Sequence, residues 1–246
     1  MFSIYRSEFL KLKRTKIYLA VLSLAVLGNL IAVLFSGDTK NAFYQHGSIL
    51  TFLTPFIFAF ITGYVFSKEY IDRVINQLFT YPVSRIRIFI AKLLAIYSMI
   101  VIMFVLSCLI LIVAGTANAF AGEITFELLL RGITMNLIAC GLSFGTIPVA
   151  AAVSIVGKNI IPSMVLGAVA SFVTTALRIG KQDLVLVLFP WGTPYYMIND
   201  FNTERFGQTG ESPYIGTGFI ILLAIFLISL AFCLWYYQKS EVHSGA

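Results

Sequence analysis

Six long apolar runs alternate with polar segments along the chain, and none of the six has a charged side chain in its interior. They read as Ile17–Phe35, Ile49–Ser67, Leu93–Ala114, Ile133–Val156, Ile160–Leu177 and Tyr214–Tyr237. Each approaches the roughly 17–25 apolar residues that a helix needs to cross ~30 Å of hydrocarbon. A bilayer core offers no water to backbone groups, so such runs must satisfy their own hydrogen bonds as helices. The pattern predicts an all-α polytopic membrane protein with six transmembrane helices, built as a single domain over residues 1–246.

Composition agrees. Hydrophobic residues make up 59% of the chain and charged residues 11%, where a soluble domain would carry about a quarter charged residues. Twelve of the 17 lysines and arginines fall on the side that holds the N-terminus, the loop after the second run, Lys158 and Lys239, while seven of the 11 acidic residues fall on the other. Basic residues stay preferentially on the cytoplasmic side, so both termini are expected there. The net charge of +6 then belongs to the inner membrane face and its anionic lipid, and implies no nucleic acid. The first run follows a 16-residue basic segment and lacks a small-residue cleavage site, so it reads as a span and not as a cleaved signal. Cys108, Cys140 and Cys233 fall within spans and suggest neither a disulfide framework nor a metal site.

Two polar segments have more structure than topology requires. In residues 1–16, Phe2, Tyr5, Phe9 and Leu12 recur at helical spacing, with Arg6, Glu8, Lys11 and Lys13 around them. This is the pattern of an amphipathic interfacial helix. In residues 68–85, Ile71, Val74, Ile75 and Leu78 take one helix face, and Lys68, Glu69, Asp72, Arg73, Asn76 and Gln77 take the other. Pro82 disfavours helix at Tyr81. A second amphipathic helix is therefore expected at the cytoplasmic surface, turning near Pro82 into the third span.

Glu69, Leu78, Pro82, Ser84, Arg85 and Lys92, in this topology, resemble the permease subunits of ABC-2 type transporters, and within them the permeases of bacitracin- and lantibiotic-resistance exporters. Arg73-Val74 departs from the Gly-Thr found in many relatives. The resemblance implies that residues 68–85 are a coupling helix on which a separate ABC ATPase docks, using Glu69, Asp72, Arg73, Asn76, Gln77, Pro82 and Arg85. It implies a second permease copy or a paralogue as partner, and a bacterial cytoplasmic membrane as location. It also implies that this chain binds no cofactor, ATP and Mg²⁺ being used by the ATPase. The chain has no G-x-x-x-x-G-K-[ST] sequence of its own; Gly157-Lys158 is followed by Asn159.

Other signals have plainer readings. Gly141-Leu-Ser-Phe-Gly145 matches the nucleophile-elbow pattern, but lies mid-span with neither His46 nor His243 at its depth. The same glycines permit close helix packing. Pro55, Pro148 and Pro162 are expected to kink helices. Asn29 and Asn136, the most polar residues within spans, are expected to bond to a neighbouring helix and are candidates for the substrate path. So are Trp191, Tyr195 and Tyr196, in a loop over residues 178–213 expected to carry a re-entrant or interfacial segment before the sixth span.

The resulting expectation is a permease subunit of an ATP-driven exporter for an amphiphilic or membrane-active substrate such as a peptide antibiotic, with no catalysis of its own. A secondary transporter would carry charged residues within its spans. An intramembrane enzyme would need catalytic groups at matching depth. An immunity protein that sequesters a toxin would not need the two-signed segment 68–85. An ion-extruding ABC-2 permease is a further alternative.

Overall fold

Among the described residues of the apolar runs, the chain is helical with few departures. The computed structural model describes residues 2–15, 19, 22–23, 26–28, 30–31, 39–72, 84–116, 126–180, 183–194, 196 and 214–239. Among these, every regular element is a helix. They are α1 (Phe2–Lys13), α2 (Thr39–Ile71), α3 (Arg85–Thr116), α4 (Phe126–Ser143), α5 (Ile147–Gly157), α6 (Ile160–Ile179), α7 (Asp183–Leu188) and α8 (Ile215–Lys239), with a 3₁₀ turn at Phe144–Thr146 between α4 and α5.

Four stretches of described helix are long and apolar enough to cross a membrane: Arg85–Ile110, Gly132–Gly157, Ile160–Ile179 and Gly216–Lys239. They overlap the last four predicted spans, the third of the six beginning at Arg85 instead of Leu93. The second predicted span lies within α2, a helix of 33 residues. Most of the first, Ile17–Phe35, lies outside the described residues.

The fourth span is broken in the middle, for a local reason. Pro148 has no N–H to donate to the Phe144 carbonyl four residues back. That carbonyl instead accepts from the backbone N–H of Ile147, which tightens the chain into the 3₁₀ turn. The Thr146 hydroxyl donates to the Ser143 carbonyl at 2.9 Å, and the Cys233 thiol of α8 donates to the Pro148 carbonyl at 3.4 Å. Pro162 produces no such break. It lies in the first turn of α6, where its missing donor would have no intrahelical partner in any case.

The hairpin between α5 and α6 turns in two residues. Lys158 takes a left-handed conformation with φ 48°, a region that favours glycine. Asn159 then caps α6, its Oδ1 accepting from the backbone N–H groups of Ile160 at 2.6 Å and Ile161 at 3.4 Å. The side-chain oxygen satisfies donors that the first helical turn leaves open.

The principal seam of the bundle joins α2 to α6, with α5 against both. Small residues make it. A Cβ added at Gly167 would lie 2.6 Å from the Cβ of Ala59 and 2.8 Å from the Pro55 carbonyl oxygen. The Ser163 hydroxyl crosses the seam to the Ala59 carbonyl at 2.5 Å, and that of Ser154 reaches the Gly63 carbonyl at 3.1 Å. Lipid is as apolar as leucine, so membrane helices associate through this kind of packing and bonding. The opposite face of α6 leaves Ile161, Val165, Val169 and Phe172 exposed, as a lipid-facing stripe requires.

At the other end of α6, residues 183–194 fold back. Leu186, Val187 and Tyr196 form a small apolar cluster with Leu177 and Tyr214. Gly192 approaches the Leu186 carbonyl more closely than any side chain would allow. The helix α7 thus covers the ends of α6 and α8.

Candidate functional site

Three helices meet where α1 lies against the start of α3 and the end of α2. Residue spacing decides which side chains arrive there. On α1, Tyr5, Phe9 and Leu12 turn inward, and Glu8 shares their face. Leu12 and Glu8 are both buried, and the Tyr5 hydroxyl lies 2.8 Å from the Ser98 hydroxyl of α3. On α3, Lys92 falls in register with the buried Ile88, Phe89, Ala95 and Ile96, and is itself 1% exposed. On α2, Glu69 follows one helical turn after Val65 and points toward α3.

The result is an ion-pair cluster with the charge of Lys92 at its centre. Lys92 Nζ lies 2.9 Å from Glu69 Oε1 and 3.8 Å from Glu8 Oε2, and donates to the Val65 carbonyl at 3.1 Å. Lys11 closes the cluster from the outside, 2.6 Å from Glu8 Oε1 and 3.7 Å from Glu69 Oε1. Two carboxylates face two ammonium groups. Burial acts to lower the Lys11 pKa, but the hydrogen bond and charge of Glu8, and then those of Glu69, outweigh it and hold the group above its ordinary 10.5. Beneath the cluster is an aromatic floor. The Phe66 and Phe89 rings meet tilted at 5.3 Å, Tyr237 of α8 adjoins Phe89 at 5.6 Å, and Lys92 Nζ stands 5.8 Å from the Phe66 ring centre. A cation over such a face gains electrostatically. A cavity of about 180 Å³ opens beside the cluster, with Tyr64, Lys68 and Asp72 on its wall.

The sequence-predicted residues are distributed as follows. Glu69 is held in the cluster, while Asp72 is exposed one residue beyond the end of α2. The segment expected to begin a separate helix at Lys68 continues α2 without a break through Ile71. Arg85, at the first position of α3, donates to the Gln238 carbonyl of α8 at 3.0 Å. Arg73, Asn76, Gln77 and Pro82 lie outside the described residues, as do Asn29 and Tyr195. Asn136 is buried and donates to the Gly132 carbonyl of its own helix at 3.0 Å. Trp191 is half-buried with its ring 5.4 Å from Phe189, and Tyr196 belongs to the small cluster under α7.

Ser143, in the nucleophile-like motif, donates to the Ala139 carbonyl at 2.6 Å. A Cβ at Gly145 would meet Leu222 of α8 at 2.8 Å, but one at Gly141 would meet nothing within 4 Å. Half of the glycine pair serves packing.

The sequence-family profile described as ABC-2 family transporter protein matches residues 4–174. The chain belongs to the ABC-2 transporter family. It is also similar to the bacitracin transport permease protein BCRB of Bacillus licheniformis, with 24% identity over 187 residues, covering 76% of this chain and 85% of that protein. Membrane subunits of this family perform no catalysis; an ABC ATPase is their partner. The chain is therefore a multi-pass membrane permease.

Sequence reasoning placed Glu8 and Lys11 around the apolar stripe of an interfacial helix and Lys92 just before the third span, and did not join them. The signals that would have joined them are present. Glu8 lies at helical spacing between Tyr5 and Leu12, and Lys92 between Phe89 and Ile96. A charge within an apolar stripe needs an opposite charge from another helix.

Proposed function

We propose that this permease is the membrane subunit of an ATP-driven exporter that removes an amphiphilic, membrane-active substrate such as a peptide antibiotic, and so confers resistance to it. The observation that carries the reading is the similarity to a bacitracin transport permease across 85% of that protein's length. The exposed apolar faces of α6 and α8 suit a cargo that enters from the bilayer.

In this reading the chain sits in a bacterial cytoplasmic membrane with both termini inside, paired with a second copy or a paralogue. An ATPase that uses ATP and Mg²⁺ docks on the segment after α2. Asp72, Arg73, Asn76 and Gln77 supply its contact face. Glu69 holds the helix end that carries them, and Pro82 and Arg85 set the entry into α3, Arg85 through its bond to the end of α8. Asn29, Asn136, Trp191, Tyr195 and Tyr196 are candidates for the route of the substrate, with the segment under α7 at the exit.

The test is copurification in mild detergent, followed by reconstitution with the ATPase that comes with the chain. ATP-dependent protection against bacitracin is expected. Asp72→Lys is expected to cut transport at least tenfold while leaving the protein in the membrane. A chain that purifies alone, or transport unchanged by Asp72→Lys, would overturn the respective parts of the reading.

A further inference from the structure

The cluster around Lys92 ties together three helices that the chain delivers separately. Lys92 is on α3 and bonds to two points on the last turns of α2, the Val65 carbonyl at 3.1 Å and Glu69 at 2.9 Å. It also faces Glu8 on α1 at 3.8 Å. A helix C-terminus has negative dipole character, so the ammonium grips both the backbone and the side chain of that end. Three residues beyond Glu69 is Asp72, the first residue of the contact face assigned to ATPase docking. The grip therefore lies at the root of the docking segment. Tyr5 adds a second tie between α1 and α3, through Ser98 at 2.8 Å.

We propose that Glu8, Glu69 and Lys92 are positioning residues of the transport cycle: they make α1, the end of α2 and the start of α3 one body, so that ATPase-driven displacement of the docking segment carries α1 with it. The proposal rests on the assignment of that segment as the ATPase contact. It departs from the simpler role of α1 as an amphipathic anchor in lipid headgroups. An anchor of that kind would turn its charged residues outward. Here Glu8 is buried against α2 and α3, and of the charged residues of the cluster Lys11 alone is substantially exposed.

Removing one charge from the cluster would leave others buried and uncompensated, and folding could fail. The test therefore uses the neutral triple variant Glu8→Gln, Glu69→Gln, Lys92→Met, which keeps the volumes and removes the charges together. In the reconstituted complex with the ATPase, this variant is expected to keep membrane abundance within twofold of the parent. Substrate moved per ATP is expected to fall at least tenfold. Spin labels at the exposed Ser7 on α1 and Lys158 on the α5–α6 turn report the motion directly. The distance between them is expected to change between nucleotide-free and ATP–vanadate-trapped complexes of the parent, and to stop changing in the triple variant. Parent-like transport per ATP in the triple variant, or a Ser7–Lys158 distance constant through the parent's cycle, would overturn the proposal. A parent chain without an associated ATPase would instead overturn the assignment on which it rests, so the two failures are distinguishable.

Discussion

Replacing Lys92 by Met should lower stability more than any other single change at the three-helix junction. Methionine keeps the length of the stem, so packing against Phe66 changes little and the charge is what is lost. Breaking a buried ion pair from one side costs about 3–5 kcal/mol, because the remaining charge is left without compensation. The bond to the Val65 carbonyl adds about 0.5–1.5 kcal/mol. Lys11 offsets part of this, since it already lies 2.6 Å from Glu8 and 3.7 Å from Glu69. Its side chain is 53% exposed, and a pair of that kind contributes about 0–1 kcal/mol. The expected net loss is about 3–6 kcal/mol. The double variant Lys92→Met, Glu69→Gln should recover to within about 1–2 kcal/mol of the parent, because removing both partners also removes the uncompensated charge and leaves Glu8 to Lys11. The assay is equilibrium unfolding in mixed micelles, followed by tryptophan fluorescence, for the parent, the two single variants and the double variant. If Lys92→Met lies within about 0.5 kcal/mol of the parent, or if the two single effects simply add, the residues are not coupled and the electrostatic account of the junction is wrong.

Three further outcomes are expected. Gly167→Ala should cost about 1–3 kcal/mol by overpacking, because the new methyl meets Ala59 and the Pro55 carbonyl; Gly141→Ala, which meets nothing within 4 Å, should be neutral or slightly stabilising in the same unfolding assay. Ser143→Ala should leave transport within twofold of the parent, since its hydroxyl is engaged with the Ala139 carbonyl; a loss of tenfold or more would restore a chemical role to the motif. Lys158→Gly should raise stability by about 1 kcal/mol by relieving the left-handed backbone, read as a higher thermal midpoint in detergent.

The last four spans were legible because the bilayer makes hydrophobicity and length nearly sufficient. The fourth was expected at Ile133–Val156, and the structure places a spanning stretch at Gly132–Gly157. The ends of α2 and α3 were not legible by the same rule. Between Ser67 and Pro82 the sequence contains neither Gly nor Pro, so nothing local stops α2 at Ser67, and it continues through Ile71. Hydropathy reads Lys92 as the edge of a span, where the periodicity of Ile88, Phe89, Ala95 and Ile96 reads it as part of the buried face. Pro148 was expected to kink its helix, and its missing donor produces the 3₁₀ turn just before it. Asn136 donates to the Gly132 carbonyl of its own helix, a bond that its position one turn further along α4 allows. The cluster itself could not be read from any one segment. Its members are at positions 8, 11, 69 and 92, and only packing three helices at one end brings them within reach of each other.

The two kinds of contact on α2 differ in strength, and this gives the proposed coupling a direction. Along α2, Gly63 and Glu69 are about 9 Å apart at 1.5 Å per residue. At Gly63 the helix is held to α5 by a hydroxyl-to-carbonyl bond from Ser154, and Ser163 of α6 makes a similar bond to the Ala59 carbonyl one turn earlier. Bonds of that class between membrane helices average about 0.6 kcal/mol, and a serine can exchange one carbonyl for another as helices slide. At Glu69 the helix is held to α3 and α1 by buried charges, where breaking a single link is several-fold more costly. A displacement applied beyond Asp72 would therefore meet a junction that resists opening and, less than two turns away, a small-residue seam that can shift. On the proposed coupling, α1, the end of α2 and the start of α3 move together, and the slip occurs between α2 and the α5–α6 hairpin. A cysteine pair at Gly63 and Ser163, whose Cβ positions adjoin each other across the seam, tests that step. Disulfide locking of the seam should stop transport while leaving ATP hydrolysis, and a locked protein that still transports would place the slip elsewhere.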